Sequence, residues 1–112
     1  MKKLEAIIRP VKLGDVKDAL AREGVDAMTI SDVKGCASGE ARAELYRGAK
    51  YVVDFLPKVK IEVVLSDDLA ERAAEIIRLS AHTGRPGDGN TLLLPVDEAI
   101  RIRTGQRGEE AV

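Results

Sequence analysis

The chain has 112 residues, of which 45% are hydrophobic and 33% are charged, and its formal net charge is −1 at pH 7. This length fits a single domain, residues 1–112, with one modest core, and the composition is globular. The balanced charge predicts no nucleic-acid partner, since such partners require a basic surface. No apolar run reaches the roughly 18 residues that cross a bilayer, so we expect a cytoplasmic protein without membrane insertion.

The first half of the chain is predicted to form a strand, a helix and a strand. Strand-like patterns occur in "MKKLEAIIRP" and "VDAMTISDV", on either side of "LGDVKDALAREG". In that middle segment Leu13, Val16 and Leu20 recur at helical spacing, and Gly24 follows as a stop signal. The expected unit is therefore a strand joined to a second strand through a helical crossover.

The second half repeats this order in "KVKIEVVL", "SDDLAERAAEIIRLSAHTG" and "NTLLLPV". The helical stripe consists of Leu69, Ala73, Ile76 and Ile77. Asp68 and Glu71 have the spacing of a capping box, and Gly84 is the expected stop. Strands joined by such crossovers are predicted to lie side by side, which gives a four-stranded sheet with both helices on one face. The expected fold class is α+β, a ferredoxin-like βαββαβ plait.

Alternation along the strands predicts which face the helices cover. The covered face is assigned Leu4, Ala6, Ile8, Val59, Ile61, Val63 and Leu65. The opposite face is mixed and carries Ile7, Val64, Lys3, Glu5, Arg9, Lys60 and Glu62. This second face is either exposed to solvent or buried against sister subunits, because exposed apolar patches often mark interfaces.

A stretch of roughly twenty residues, "GCASGEARAELYRGAKYVVD", separates the second and third predicted strands, where hairpin loops usually take two to five. Loops of this length are usually functional or disordered. Tyr46 and Tyr51 lie within it. They either pack the base of the loop against the sheet or present hydroxyls that can be modified or can anchor a partner protein.

Two further segments favour anion binding. In "TGRPGDGN", Gly87 and Gly89 allow backbone amides to approach phosphate oxygens, although such segments are often only turns. In "IRIRTG", Arg101 and Arg103 are predicted to project from one face of an extended strand, where paired guanidiniums match phosphate oxygens unless they form a solvated edge.

Catalytic chemistry finds little support in the sequence. The single histidine, His82, is expected in the last turn of the second helix, where a polar group or cation is favourable in any case. The single cysteine, Cys36, cannot form an internal disulfide and has no evident basic partner. Asp67 and Asp68 resemble helix-cap residues, and no metal-ligand cluster is seen. We therefore expect a protein that is not an enzyme and has no metal site.

Several of these segments, in order and at matching spacing, resemble the PII signal-transduction proteins. They are "MKKLEAIIRPVKLGDVKDAL", "ELYRGAKYVVDFLPKVKIE", "TGRPGDGN" and "VDEAIRIRTGQRGEEA". The resemblance covers essentially the whole chain. It implies a homotrimer of ferredoxin-like subunits, with ATP or ADP bound in clefts between subunits. It also implies a T-loop, about 36–55, that docks on an ammonium channel, a metabolic enzyme or a regulator of nitrogen metabolism.

The resemblance assigns roles to individual positions. Nucleotide binding is assigned to Thr29, Gly35, Ser38, Glu62, Val64, Gly87, Asp88, Gly89, Asn90, Arg101 and Arg103, which include a phosphate-binding B-loop (about 82–90) and a C-terminal segment (about 98–112). Binding of the effector 2-oxoglutarate is assigned to Arg9, Lys58 and position 39. Tyr51 corresponds to the tyrosine that is uridylylated in some bacterial members.

Four positions depart from the family pattern. Gly39 stands where the family has the glutamine that coordinates magnesium beside 2-oxoglutarate. Ser38 replaces a phosphate-contacting arginine, and Asn90 replaces a B-loop lysine, so two basic contacts are lost. Lys50 replaces an acidic residue before Tyr51. We expect a weakened or lost 2-oxoglutarate response and weaker ATP binding, which makes ADP or AMP candidate ligands and leaves magnesium binding with ATP open.

Three functions remain open from the sequence. The first is a PII-type regulator of nitrogen-linked targets that responds to adenine nucleotides. The second is a PII-like sensor of another effector, such as bicarbonate or another small carboxylate, that regulates carbon metabolism or transport. The third is a small phosphate-handling enzyme such as an acylphosphatase, which shares the plait but requires a catalytic arginine and asparagine that are not evident here.

Overall fold

The computed structural model describes residues 1–35, 42–46, 49–53 and 55–112, with the backbone alone for 42–46 and 49–53. In these residues the chain forms two α-helices and six strands. They are β1 (Lys2–Ile8), α1 (Leu13–Arg22), β2 (Thr29–Gly35), β3 (Arg42–Tyr46), β4 (Ala49–Val53), β5 (Leu56–Leu65), α2 (Asp67–Ser80) and β6 (Asn90–Pro95). Short 3-10 helices span Pro10–Lys12 and Gly108–Ala111.

Four of the strands form one antiparallel sheet in the order β2-β5-β1-β6. The α+β ferredoxin-like fold is therefore confirmed. The expectation that strands joined by a crossover lie side by side is wrong. Each crossover passes over one strand, because β5 lies between β1 and β2, and β1 lies between β5 and β6.

The core lies between this sheet and the two helices, as the alternation of apolar residues predicted. Leu4, Ala6 and Ile8 of β1 are buried, together with Val59 and Ile61 of β5. They pack in a single cluster with the helical residues Val16, Leu20, Ala73 and Ile77. Both helices therefore cover the same face of the sheet.

The helix ends differ from the sequence prediction in α2. After α1, Gly24 adopts a φ of 83° and its N–H donates to the Ala21 carbonyl over 3.0 Å, so it ends the helix as expected. The N-cap of α2 is Ser66, whose hydroxyl accepts from the Leu69 N–H, and not Asp68. The chain leaves β5 at Leu65, so Ser66 already occupies the cap position.

The C-terminal end of α2 was also predicted too late in the chain. The helix ends at Ser80, with Ala81 as its C-cap. His82 therefore follows the helix and does not lie in its last turn, and Gly84 belongs to the next loop. In the part of the chain that is described, no helix has the length and apolar character needed to cross a membrane.

The long segment between β2 and β5 contains regular structure that the sequence reading did not assign. β3 and β4 pair as an antiparallel hairpin from Arg42 opposite Val53 to Tyr46 opposite Ala49. Tyr51 lies in β4, opposite Glu44. Both strands contain residues with high β-propensity, which favours pairing over an irregular loop. The predicted positions Cys36, Ser38 and Gly39 lie outside the described residues.

The C-terminal segment folds back on itself, so Arg101 and Arg103 do not lie on an extended strand. Ile100 forms an isolated bridge with Arg107, and between them the Arg101 N–H donates to the Gln106 carbonyl over 2.9 Å. Gly105 adopts a φ of 74° and donates to the Arg101 carbonyl over 2.8 Å. A left-handed glycine makes this tight turn possible, which the alternation of Ile and Arg did not indicate.

The buried position of Ile61 in the central strand β5 leads to a stability prediction. The side chain is fully buried, so Ile61→Ala should lower the free energy of unfolding by about 2–5 kcal/mol through lost contacts and a cavity. Leu79, which is 63% exposed on α2, is the control, and Leu79→Ala should change it by about 0.5 kcal/mol or less. Urea titrations at one protomer concentration measure both, and equal effects would contradict the assignment of the core.

Candidate functional site

The carboxylate of Asp88 organises the loop between α2 and β6. Its Oδ2 accepts from the N–H groups of Thr83, over 2.8 Å, and Gly84, over 2.9 Å. Its Oδ1 accepts from the Thr83 hydroxyl and, over 3.1 Å, from Nε of Arg9. The side chain therefore points back into its own loop and closes residues 83–88 into a ring of hydrogen bonds.

These donors also fix the charge of Asp88. The hydrogen bond from the Thr83 hydroxyl is the largest cause, followed by the Thr83 N–H, and together with Gly84 and Arg9 they hold the pKa of Asp88 far below its ordinary value of 3.8. Partial burial opposes this shift but is outweighed. The carboxylate is thus ionised at any physiological pH, and its negative charge is directed at internal donors.

Two glycines let this loop lie against the sheet. Gly87 and Gly89 adopt φ values of 100° and 95°, in the left-handed region that favours glycine. A Cβ at Gly89 would lie 1.7 Å from the carbonyl oxygen of Ile7, so no other residue fits there without displacing the loop from β1. Glycines in this conformation can form concavities of backbone N–H groups that bind anions.

Two cations anchor the same loop, Arg9 directly after β1 and Lys58 in β5. Nη2 of Arg9 donates to the Pro86 carbonyl over 2.6 Å, and Nζ of Lys58 donates to the Gly87 carbonyl over 2.7 Å. Lys58 is only 7% exposed. Its stem passes Gly35, where an added Cβ would lie 2.9 Å from Cγ of Lys58, so Gly35 leaves room for this side chain.

A second set of the sequence-predicted residues lines a groove on the other half of the sheet. Thr29 of β2 pairs with Glu62 of β5, and Val64 follows two residues later on the same face. With Arg101 they line a groove of about 670 Å³. The groove is completed by Lys3, Ala27, Met28, Val63, Ala111 and Val112.

Lys3 is a groove residue that the sequence analysis assigned only to a mixed sheet face. Its Nζ lies 2.8 Å from a carboxylate oxygen of Glu62 and 2.9 Å from one of Glu5. These hydrogen bonds raise the pKa of Lys3, and the one to Glu62 contributes most. The hydrogen bond from Lys3 in turn lowers the pKa of Glu62. The groove floor therefore carries a fixed ionised carboxylate. The sequence signal for this contact was the alternation that places Lys3 and Glu62 on the same face of the sheet.

The two arginines of the C-terminal segment have different surroundings. Nε of Arg101 is buried and has no hydrogen-bond partner among the described residues, whereas its Nη2 donates to the Glu110 carbonyl over 3.4 Å. Buried donors are normally satisfied, so this unsatisfied donor beside the groove is unusual. Arg103 is exposed in the turn and does not line the groove.

The predicted site residues thus fall into two clusters on one chain. Lys58 contacts the loop, whereas Val64 lines the groove six residues further along β5. At about 3.3 Å per residue, the groove residues Glu62 and Val64 lie roughly 13 and 20 Å from Lys58 along the strand. Within the described ranges, no group of three or more His, Cys, Asp or Glu side chains could hold a metal ion.

Comparison with known proteins identifies the family. The family model described as "Nitrogen regulatory protein P-II" matches residues 1–106. The chain belongs to the nitrogen regulatory protein P-II family. It is 56% identical to the nitrogen regulatory protein P-II of Azospirillum brasilense, 55% to that of Bradyrhizobium diazoefficiens and 50% to that of Haemophilus influenzae, in each case over 112 residues and the full length of both chains.

Membership in the P-II family decides between the open functions at the level of class. P-II proteins are signal-transduction regulators, so the chain is a regulator and not an enzyme, and the acylphosphatase interpretation is discarded. These relatives are named for nitrogen regulation, and a sensor that regulates carbon metabolism or transport is therefore not favoured.

The contact between Gly89 and the Ile7 carbonyl can be tested with a matched glycine. Gly24 has a similar φ of 83° but open space around its missing Cβ, so Gly24→Ala should cost only the left-handed strain of about 1–2 kcal/mol in the free energy of unfolding. Gly89→Ala should cost more, because the loop must also move away from β1. Chemical denaturation of both variants measures this, and equal losses would contradict the packing described.

The lowered pKa of Asp88 predicts that part of the free energy of unfolding is lost at acid pH. A carboxyl group whose pKa is lower in the folded state stabilises the fold above its unfolded pKa, and this contribution is lost as the pH falls towards the folded pKa. The free energy of unfolding of the wild type should therefore be larger than that of Asp88→Asn above about pH 5. This difference should become smaller below about pH 4. A difference independent of pH would contradict the assignment.

Proposed function

We propose that this chain is an adenine-nucleotide-binding regulator of the P-II type, which assembles as a homotrimer in the cytoplasm. Through its T-loop, residues 36–55, it controls nitrogen-linked targets such as an ammonium channel, a metabolic enzyme or a transcriptional regulator. One observation carries the nucleotide part of the proposal: the predicted binding residues form two incomplete half-sites, a groove and a glycine loop, on one sheet.

The separation of the half-sites supports binding between subunits. The groove offers apolar walls at Met28 and Val64 beside the polar Thr29 and Glu62, which suits a nucleoside. The glycine loop, which contacts Lys58 roughly 13 to 20 Å away along β5, suits phosphates. In our proposal the groove of one copy faces the loop of the next, so that each nucleotide contacts two subunits.

The open face of the sheet supports the same assembly. Ile7 and Val64 lie on it, and on the edge strand β6 Leu92 and Leu94 are 51% and 38% exposed. Pairing of Glu5 with Leu92 and Lys3 with Leu94 puts these leucines on the same face as the charged residues. An apolar patch of this kind is typical of a surface that other copies cover.

The groove has properties that fit a nucleotide. Its volume of about 670 Å³ lies within the usual range for small-molecule sites. The buried Nε of Arg101 would gain a partner from an anionic ligand, and guanidiniums bind phosphate oxygens well. Arg103, in the same turn, is the second phosphate contact in this proposal.

The phosphate half-site supports ADP or AMP over ATP. Asn90 begins β6 directly after the loop and is exposed, so an uncharged amide stands where the family usually has a lysine. Ser38 likewise carries no charge. Each lost charge-assisted hydrogen bond lowers the binding free energy by about 1.5–3 kcal/mol. Binding of ATP, with its accompanying magnesium, is weakened most, because its γ-phosphate adds negative charge that these contacts would offset.

The response to 2-oxoglutarate is proposed to be weak or lost. Gly39 lacks the side-chain amide that would hold magnesium, and both Arg9 and Lys58 already donate to the glycine loop. A carboxylate effector would have to compete for these donors. Tyr51, in β4, remains the proposed acceptor if the protein is uridylylated.

Isothermal titration of the purified protein with ATP, ADP and AMP, with and without 2-oxoglutarate, tests the proposal. We expect adenine nucleotides to bind and 2-oxoglutarate to leave the titrations unchanged. Absence of heat with all three nucleotides would contradict nucleotide binding. Tighter binding of ATP in the presence of 2-oxoglutarate would contradict the proposed loss of the 2-oxoglutarate response.

The role of Arg101 can be tested in the same titrations. Arg101→Ala should weaken ADP binding by about tenfold or more, because it removes a charge-assisted contact with the phosphates. Arg72→Ala is the control, since Arg72 lies on α2 and pairs with Glu23 away from the groove. Unchanged affinity in Arg101→Ala would remove this residue from the site.

A further inference from the structure

Arg9 contacts the glycine loop at two points with one guanidinium. It follows β1, yet Nε donates to Oδ1 of Asp88 over 3.1 Å and Nη2 donates to the Pro86 carbonyl over 2.6 Å. Its side chain is 24% exposed and that of Asp88 is 23% exposed, so the pair is largely shielded from water. Arg9 therefore fixes both the Asp88 side chain and the Pro86 carbonyl next to the end of β1.

Asp88 requires such a partner if the loop is to accept an anion. An ionised carboxylate within a phosphate-binding loop repels the ligand unless its charge is neutralised. Among the described residues, the Thr83 N–H, the Thr83 hydroxyl, the Gly84 N–H and Arg9 Nε donate hydrogen bonds to Asp88, and of these four donors only Arg9 carries a full positive charge. Lys58 donates to the Gly87 carbonyl and so anchors the backbone next to Asp88.

We propose that Arg9 is a positioning residue of the phosphate-binding loop: it neutralises Asp88 and holds residues 83–89 in the shape that accepts a nucleotide phosphate. This rests on the proposed nucleotide function. Arg9 acts through Asp88 and does not touch the nucleotide. A direct contact of Arg9 with the phosphate would predict a different dependence on Asp88, which makes the two roles separable.

A double-mutant cycle separates them. Arg9→Gln should weaken ADP binding by about fivefold or more in the wild-type background. It should weaken binding by a clearly smaller factor in the Asp88→Asn background, where no carboxylate remains to be neutralised and only the contact with the Pro86 carbonyl is lost. Arg9→Lys, which keeps the charge, should recover part of the affinity. The control Arg22→Gln, at the end of α1, should bind ADP as wild type does. An equal loss from Arg9→Gln in both backgrounds would overturn the proposal.

A measurement without nucleotide provides the second test. The N–H groups of Thr83 and Gly84 are bonded to Asp88, so their hydrogen exchange reports how firmly the carboxylate is held. Nuclear magnetic resonance of the whole protein should show exchange at both amides faster by about fivefold or more in Arg9→Gln, and unchanged in Arg22→Gln.

The two tests distinguish the positioning role from the proposed function. Unchanged exchange at Thr83 and Gly84 in Arg9→Gln would overturn the positioning role, whatever the protein binds. Faster exchange together with a wild-type protein that binds no ADP would count against the nucleotide function, and the hold of Arg9 on the loop would still stand.

Discussion

The glycine loop lies against the carbonyl oxygen of Ile7, and the proposed phosphate half of the nucleotide site depends on this contact. There is no space for a Cβ at Gly89, so the backbone itself meets the end of β1. That closeness brings Asp88 and the carbonyls of Pro86 and Gly87 within reach of Arg9 and Lys58. A bulkier residue at position 89 would move the loop away from both cations.

The sheet then determines where the two proposed half-sites lie. β5 carries Lys58 near one end and Glu62 and Val64 near the other, so the strand contacts the glycine loop and also lines the groove. A strand is stiff over this length, which keeps the half-sites apart in a single chain. In our proposal, binding between copies couples the state of the nucleotide to the assembly that presents the T-loops.

The sequence predicted those features that arise from local periodicity. Alternation identified the core residues Leu4, Ala6 and Ile8, and helical spacing identified α1 and α2. The turn at Gly105 was missed because local hydrogen bonds overrode the strand pattern of the sequence. The hairpin of β3 and β4 was missed because its strands pair within a segment that the sequence indicated to be a loop. The contacts of Arg9 with the glycine loop join residues 77 and 79 positions apart, and only the fold brings them together.

A mixing experiment tests the central claim, that each nucleotide is held by half-sites of two copies. Asn90→Asp adds a negative charge beside the glycine loop, and Arg101→Glu adds one in the groove, so each variant alone should bind ADP poorly. Co-assembly of the two variants should restore binding at interfaces that combine an intact loop with an intact groove. If the co-assembled protein binds no better than either variant alone, both half-sites act within one chain, and the account is contradicted.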